Sequence, residues 1–359
     1  MMNQATIEGL ITLLRAGLGS VRKNWAKDVD LKQVFELSRQ QEVVAIALDG
    51  LQRLVVVQPQ LASSLGSIKL QWIGSMMAQE RRYNTNFVAA QDLSALYADN
   101  EMLTYVLKGL SISQLYPVPS HRFSCDLDCF LLPQKREFDA YELGNSLVAA
   151  KGIRVDDAYY KHSVFAYKGL TVENHRYCCS VKRSERTRRL ESYLQSLLKD
   201  YTPDYIGGTH LALPPQLFQA LFMIEHANGH FLYSKMNLKQ VCDWAMMRKA
   251  FHDTLDWAEF YRQCQRFGLT NFVVCMNHLA DYIMGQYTYA ELRTIDKRVL
   301  NDMFKPIHLS SSPMKQRIEK AWGILRSSWK FKNFCADPML KELTHSVWAY
   351  LREDNPELD

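Results

Sequence analysis

No apolar run in this chain approaches the roughly 18 residues that a membrane-spanning helix needs, so the sequence predicts no membrane partner. Cys-x-x-Cys pairs are missing as well. The eight cysteines are scattered, with only Cys178 and Cys179 adjacent and Cys125 and Cys129 four apart. That pattern excludes a zinc ribbon or a disulfide scaffold. With no secretory leader evident, it predicts reduced thiols and a cytoplasmic location. Strong charge of one sign is absent: 43 basic residues face 38 acidic ones, and a net charge of +5 does not mark a dedicated nucleic-acid binder. No P-loop (G-x-x-x-x-G-K-[ST]), G-x-S-x-G elbow or G-x-G-x-x-G turn occurs, which excludes those enzyme classes at the level of motif. Internal repeats and low-complexity linkers are also lacking. Only the acidic tail "REDNPELD" reads as disordered.

What is present suffices for large cores: 47% of 359 residues are hydrophobic, enough for two ordinary domains or one elaborated domain. Residues 1–100 read as an N-terminal helical region. "TIEGLITLLRAGLG", "DVDLKQVFELSRQ" with Asp30 as N-cap, "QEVVAIALDGLQRL" and a long segment from 67 to 100 all carry apolar residues at helical spacing. Residues 101–181 read as a small α/β core. "LTYVLKG" and "SCDLDCFLL" are strand-like, and "QKREFDAYELGNSLVAAKG" is a helix closed by Gly152. "HSVFAY" and "LTVENHRYC" are strands joined at a Lys168-Gly169 turn. From 182 to 359 helical patterns return, starting "QLFQALFMIEHANGHFL" after Pro214-Pro215 and continuing to about Arg352. The fold class expected is α+β, a small mixed sheet embedded between two helical regions.

The segment "LKGLSISQLYPVPSHRFSCDLDCFLL" carries the chemistry. In a strand, Asp126 and Asp128 point to one face, while Cys125, Leu127 and Cys129 point to the other. Two adjacent carboxylates repel unless a cation lies between them, and Mg²⁺ prefers oxygen ligands. The plainer alternatives are a solvated edge-strand pair or a helix cap. Three features favour the metal. Lys108-Gly109 ends a strand before the helix-like "LSISQLY", where glycine lets the backbone approach a phosphate. Arg122 and Ser124 flank the acids with donors. Glu173, in the nearby strand "LTVENH", supplies a third carboxylate. Three acids around two metals suit in-line displacement at phosphorus.

On these residues the chain resembles the uncharacterised bacterial nucleotidyltransferase family of the DNA polymerase beta-like superfamily. The shared pattern is "LKG…LYPVPSHRFSCDLDCFLL", "LTVENH", and "LFMIEHANGHFLYSKMNLKQVCDWAMM". The resemblance implies that Asp126, Asp128 and Glu173 bind Mg²⁺. It makes Gly109 the phosphate-approach glycine with Lys108 as its neighbouring cation, while Arg122, Ser111, Ser124 and Lys239 line the nucleotide site. The wider superfamily has Gly-Ser at the turn. Here Gly109-Leu110-Ser111 places the hydroxyl one residue later. Relatives include toxin-like enzymes that modify RNA or protein.

Other candidates carry blander readings. His226 and His230 share a helix face, but Ala227 stands where a zinc protease needs glutamate, so core or hydrogen-bonded roles are expected over zinc; the resemblance implies instead that the helices behind the sheet help form the nucleotide cleft. Lys239 and Asp243 either pair along their helix, or Lys239 reaches into the cleft. His175 is expected to be a satisfied structural histidine, with a strand residue beside the metal site as the other reading. The basic run "VKRSERTRRL" reads as a solvated helix face, with an RNA or phosphate surface as the second possibility. The activity expected is Mg²⁺-dependent transfer of NMP from an NTP such as ATP to a hydroxyl on protein, RNA or a small molecule, with release of pyrophosphate. The alternatives are a catalytically silent nucleotide-binding or scaffold module, and a helical interaction protein.

Overall fold

The computed structural model describes residues 4–19, 25, 29–135, 137–305, 327–341 and 344. The acidic tail, the end of the helical stretch near Arg352 and the "HLSSSP" break lie outside the described residues.

The N-terminal helices are α1 (Gln4–Gly17), α2 (Leu31–Gln40), α3 (Val44–Val57), α4 (Leu61–Ser64) and the 31-residue α5 (Ile68–Ala98). Asp30 caps α2 as expected, its carboxylate accepting from Lys32 N at 2.8 Å. Helices α1 and α3 touch backbone to backbone. A Cβ on Gly50 would stand 1.8 Å from the Leu13 carbonyl oxygen, so no larger residue fits at that crossing.

Five strands follow: β1 (Met102–Val106), β2 (Asp126–Pro133), β3 (His162–Tyr167), β4 (Leu170–His175) and β5 (Leu211–Ala212). They form one mixed sheet in the order β3-β4-β2-β1-β5. β2 runs parallel to β4 and antiparallel to β1, and β3 and β4 form a hairpin. Lys168 and Gly169 both take positive φ (49° and 84°) in its two-residue turn, matching the right-handed twist of the strands. The short α6 (Leu110–Ser113) follows β1, and α7 (Ala140–Ala150) follows β2. The two-residue β5 was not legible in the sequence, because a pair of residues shows no alternation. Helices α8 (Glu185–Ser196), α9 (Gln216–Tyr233), α10 (Leu238–Ala250), α11 (Trp257–Arg266), α12 (Thr270–Met284) and α13 (Thr294–Met303) complete the order, with a last described helix at Ser328–Phe334. No described helix is long and apolar enough to cross a membrane.

Both sheet faces are covered. Leu127, Cys129, Leu131 and Val172 pack with Ala90, Leu93 and Tyr97 of α5 and Val148 of α7. On the opposite face, Tyr105 and Phe130 join a larger core that holds residues of α1, α3, α9, α10 and α12. N- and C-terminal helices thus share apolar packing, and the Arg15 guanidinium donates to the Tyr282 carbonyl at 2.6 Å. Burying both faces fixes which strand residues point where, because a one-residue slip would bring charge into the core.

Candidate active site

The strand alternation holds Asp126, Asp128 and Phe130 on one face of β2. Asp128 lies opposite Glu173 of β4 in the parallel register, and His175 of β4 lies opposite His162 of β3. Five polar side chains therefore share one sheet face. Asp128 is fully buried. Its Oδ1 accepts from Lys108 Nζ and from His175 Nε2, each at 3.1 Å. Its Oδ2 is buried with no hydrogen-bond partner. A buried carboxylate oxygen left bare is costly in an ordinary core. Glu173 Oε2 lies 3.4 Å from His175 Nε2 and 3.7 Å from His162 Nε2. Ligand atoms of Asp128, Glu173 and His175 all lie within 4.8 Å of one another.

The charges in this group are set by their neighbours. Against the pull of its burial, the Lys108 ammonium and the His175 hydrogen bond hold Asp128 well below the usual carboxylate range. Glu173 is likewise lowered, its burial outweighed first by the His175 hydrogen bond. Burial opposes charge on His175, but Asp128 and Glu173 raise its pKa. The geometry agrees. Nδ1 faces the Tyr177 carbonyl at 3.1 Å while Nε2 faces carboxylates, so both nitrogens donate and the ring is an imidazolium. His162 goes the other way, to about 4, through burial and then the neighbouring His175 charge. Asp126 is raised by burial and by the Asp128 charge, and its carboxylate makes no hydrogen bond or ion pair with the described residues.

The expected carboxylate trio is thus partly rearranged. Asp128 and Glu173 come together, and His175 stands in the third place, while Asp126 sits one strand turn away on the same face. The sequence offers both readings of His175, and both hold: its ring nitrogens are satisfied and it lies beside the acids, whereas no motif singles out His162. The two-residue hairpin turn fixes the register, so counting back from Lys168-Gly169 would have set His162 beside His175.

Lys108 lies beside the acids, its ammonium on Asp128. Gly109 has φ 71°, and a Cβ there would meet Ser124 Oγ at 2.9 Å, so the turn needs glycine. Ser124 Oγ bonds the Asp126 carbonyl at 3.3 Å and braces the start of β2. Ser111 is buried, and its hydroxyl has no partner. The helix that follows Gly109 is shorter than the expected "LSISQLY". It makes one turn, to Ser113, and so offers little dipole to an anion.

Several expectations require correction. Arg122 is not a free triphosphate ligand: it grips Asp243 with two bonds, at 3.0 and 2.7 Å, and both are buried. Lys239 does not pair with Asp243, because Arg122 and Tyr116 already occupy that carboxylate; it pairs with Glu42 instead and lies over the Phe123 ring. The basic run is a solvated face only in part: Glu185 and Arg189 are exposed, while other charges of the run are engaged within the chain. Arg186 is buried against Glu225 at 3.1 Å, Arg183 meets Glu225 at 3.5 Å, Arg188 pairs with Glu185, and Lys182 is buried near the Tyr160 ring. On α8, amphipathic packing buries Arg186 and leaves Arg189 at the surface.

A divalent cation fits the face. Asp128 offers a bare, buried oxygen, Glu173 stands beside it, and Asp126 supplies an uncommitted carboxylate. No curated protein and no solved structure gives a significant match to the chain. A family model does match, described as Uncharacterised nucleotidyltransferase and covering residues 27–285, a span that takes in the sheet, the acid–histidine face and helices α2 to α12. The chain belongs to that family of uncharacterised nucleotidyltransferases.

Proposed function

We propose that the protein transfers a nucleoside monophosphate from an NTP to a hydroxyl acceptor, releasing pyrophosphate. The observation that carries this reading is the bare Oδ2 of a buried, ionised Asp128 beside Glu173, on a face that Lys108 reaches. Asp126, Asp128 and Glu173 are assigned as the ligands of Mg²⁺ or a similar hard dication. His175, as an imidazolium, orients Asp128 and Glu173 rather than binding the ion. Bound there, the ion would lower the pKa of the attacking hydroxyl and neutralise charge on the phosphate oxygens. Lys108 neutralises Asp128 in the ion's absence and turns to phosphate oxygen in its presence. Gly109 gives the backbone close approach, and the unpaired Ser111 hydroxyl is the donor nearest that turn. Arg122 positions the strand start through Asp243, and Lys239 supports the same edge through Glu42. The mixed five-stranded sheet supports a polymerase beta-like core.

The test is Mg²⁺-dependent transfer of labelled α-phosphate from each of the four NTPs, with cell lysate as the acceptor pool. Label entering RNA, protein or a small metabolite, and lost in Asp126→Ala/Asp128→Ala, is the expected result. One observation favours a second reading, a nucleotide-binding module without turnover: Asp126 stands outside the group of mutually close ligand atoms. Nucleotide binding that responds to the double substitution, with no transfer, would select it.

A further inference from the structure

Next to the acid–histidine face lies a cavity of about 210 Å³, walled by the turn after β4 on one side and α9 on the other. This is below the roughly 300–1,000 Å³ of a pocket that encloses a drug-sized ligand, so it suits a compact group rather than a base and sugar.

Its lining is held rigidly. The Lys161 carbonyl accepts from Arg176 N at 2.9 Å and Tyr177 N at 3.1 Å, which pins the residue across the hairpin end. The amides of Cys178 and Cys179 donate to the buried Glu191 carboxylate at 3.0 and 2.6 Å, which pins the turn. Into this frame Lys161 brings its ammonium, and among the described residues no acid pairs with it. Arg183 and Glu225 also line the cavity; the carboxylate is paired with Arg183 at 3.5 Å and Arg186 at 3.1 Å, and Arg183 lies over the Tyr233 ring. From α9 come His226 and His230, four apart on one helix face, their ring centroids 4.5 Å apart.

We propose that this cavity is a phosphoryl-binding subsite beside the transfer site, with Lys161 supplying its charge and His226 and His230 supplying hydrogen bonds. Its ligand is a phosphate or pyrophosphate group. The inference deepens the transferase reading and rests on it only for the source of that group: the distal phosphates of the NTP, or a phosphate carried by the acceptor.

The electrostatics agree. After burial, the fields of Lys108, Lys161, Lys239 and Arg183 depress His230, to about 4. His226 is pushed well below its usual range by burial, then by Lys108, His230 and Lys161, with Asp128 alone opposing. Four cations therefore act on the neutral His230 and two of them, Lys108 and Lys161, on the neutral His226; the N–H groups of both rings can donate to phosphate oxygen. An anion would relieve that field. The shared influence of Lys108 and Asp128 also sets the cavity next to the reacting face.

The experiment is calorimetric titration of the full chain in EDTA with inorganic pyrophosphate and with orthophosphate. Wild-type protein is expected to bind pyrophosphate. Lys161→Ala should weaken that binding at least tenfold, and Lys161→Arg should retain most of it, with unchanged melting curves. Lys161→Gln serves if the alanine variant fails to fold. If NTP affinity falls by the same factor while NMP affinity holds, the subsite takes the donor's phosphates. If orthophosphate binding is lost while NTP affinity holds, it takes the acceptor's. Equal pyrophosphate binding by wild type and Lys161→Ala, or none by wild type, would overturn the proposal. Pyrophosphate binding that depends on Lys161, together with no NMP transfer, would count against the transferase reading alone.

Discussion

Asp128 and Asp243 are both buried carboxylates held by a cation, yet one is closed and the other open. Asp243 receives two bonds from Arg122 and one from the Tyr116 hydroxyl, so both of its oxygens are occupied. Asp128 receives Lys108 and His175 on the same oxygen and leaves the other bare. A planar guanidinium fork matches a carboxylate edge to edge, whereas an ammonium is a point charge that leaves room. The first arrangement joins loop to helix. The second keeps a negative oxygen available. Burial and pairing do not separate the two acids; the unfilled valence of Asp128 does, and the proposed function rests on it.

The comparison can be broken in order of effect. Asp128→Asn keeps the shape and removes the charge. Transfer should fall by about ten-thousandfold, on the order of 5 kcal/mol, and the melting temperature should fall too, because Lys108 and His175 lose their buried counter-charge. Retained transfer in a single-turnover assay would mean the bare oxygen has no role. Arg122→Ala should do the reverse, costing about 3–5 kcal/mol in urea unfolding, because it strands a buried charge. Arg122→Met/Asp243→Leu should lose much less. Equal losses would show that packing, not charge, holds that contact. Mg²⁺ or Mn²⁺ at a hundred times its dissociation constant should stabilise the wild type by about 2.7 kcal/mol and leave Asp128→Asn unmoved. An identical shift in both proteins would place the ion elsewhere.

The smallest effect sharpens the contrast with a third case, beside Arg122 in the chain. His121 is satisfied on both nitrogens, by Asp49 at 2.7 Å and Glu80 at 3.0 Å. Burial opposes its charge, but those hydrogen bonds raise its pKa. A raised folded pKa means stability that is full below the unfolded value, near about 6.5, and lost as pH rises through the folded one. His121→Gln should therefore cost about 1 kcal/mol more near pH 6 than near pH 9, read by denaturant midpoint. A pH-independent cost would rule out the charged pairing.

Some parts were legible because the signal was local. Alternation in "CDLDCFLL" put Asp126 and Asp128 on one face, and the Asp30 cap and the Lys168-Gly169 turn each depend on a few neighbouring residues. The basic run misled because charge density in sequence does not reveal which charges a helix will bury. Arg186 meets Glu225, 39 residues away, inside the core. Arg122 misled for the same reason, its partner lying 121 residues downstream.

By itself the sequence determined the longer elements, the strand faces and the identity of the acid pair, since these follow from periodicities of two and 3.6 residues. Tertiary structure alone decided which charges remain available. Parallel pairing brought Glu173 beside Asp128, packing of α9 brought two histidines over the sheet, and long-range partners removed Arg122 and Arg186 while leaving Lys161 facing a cavity. Coulomb energy and desolvation depend on distance in space and on water excluded, and neither quantity is written along a chain.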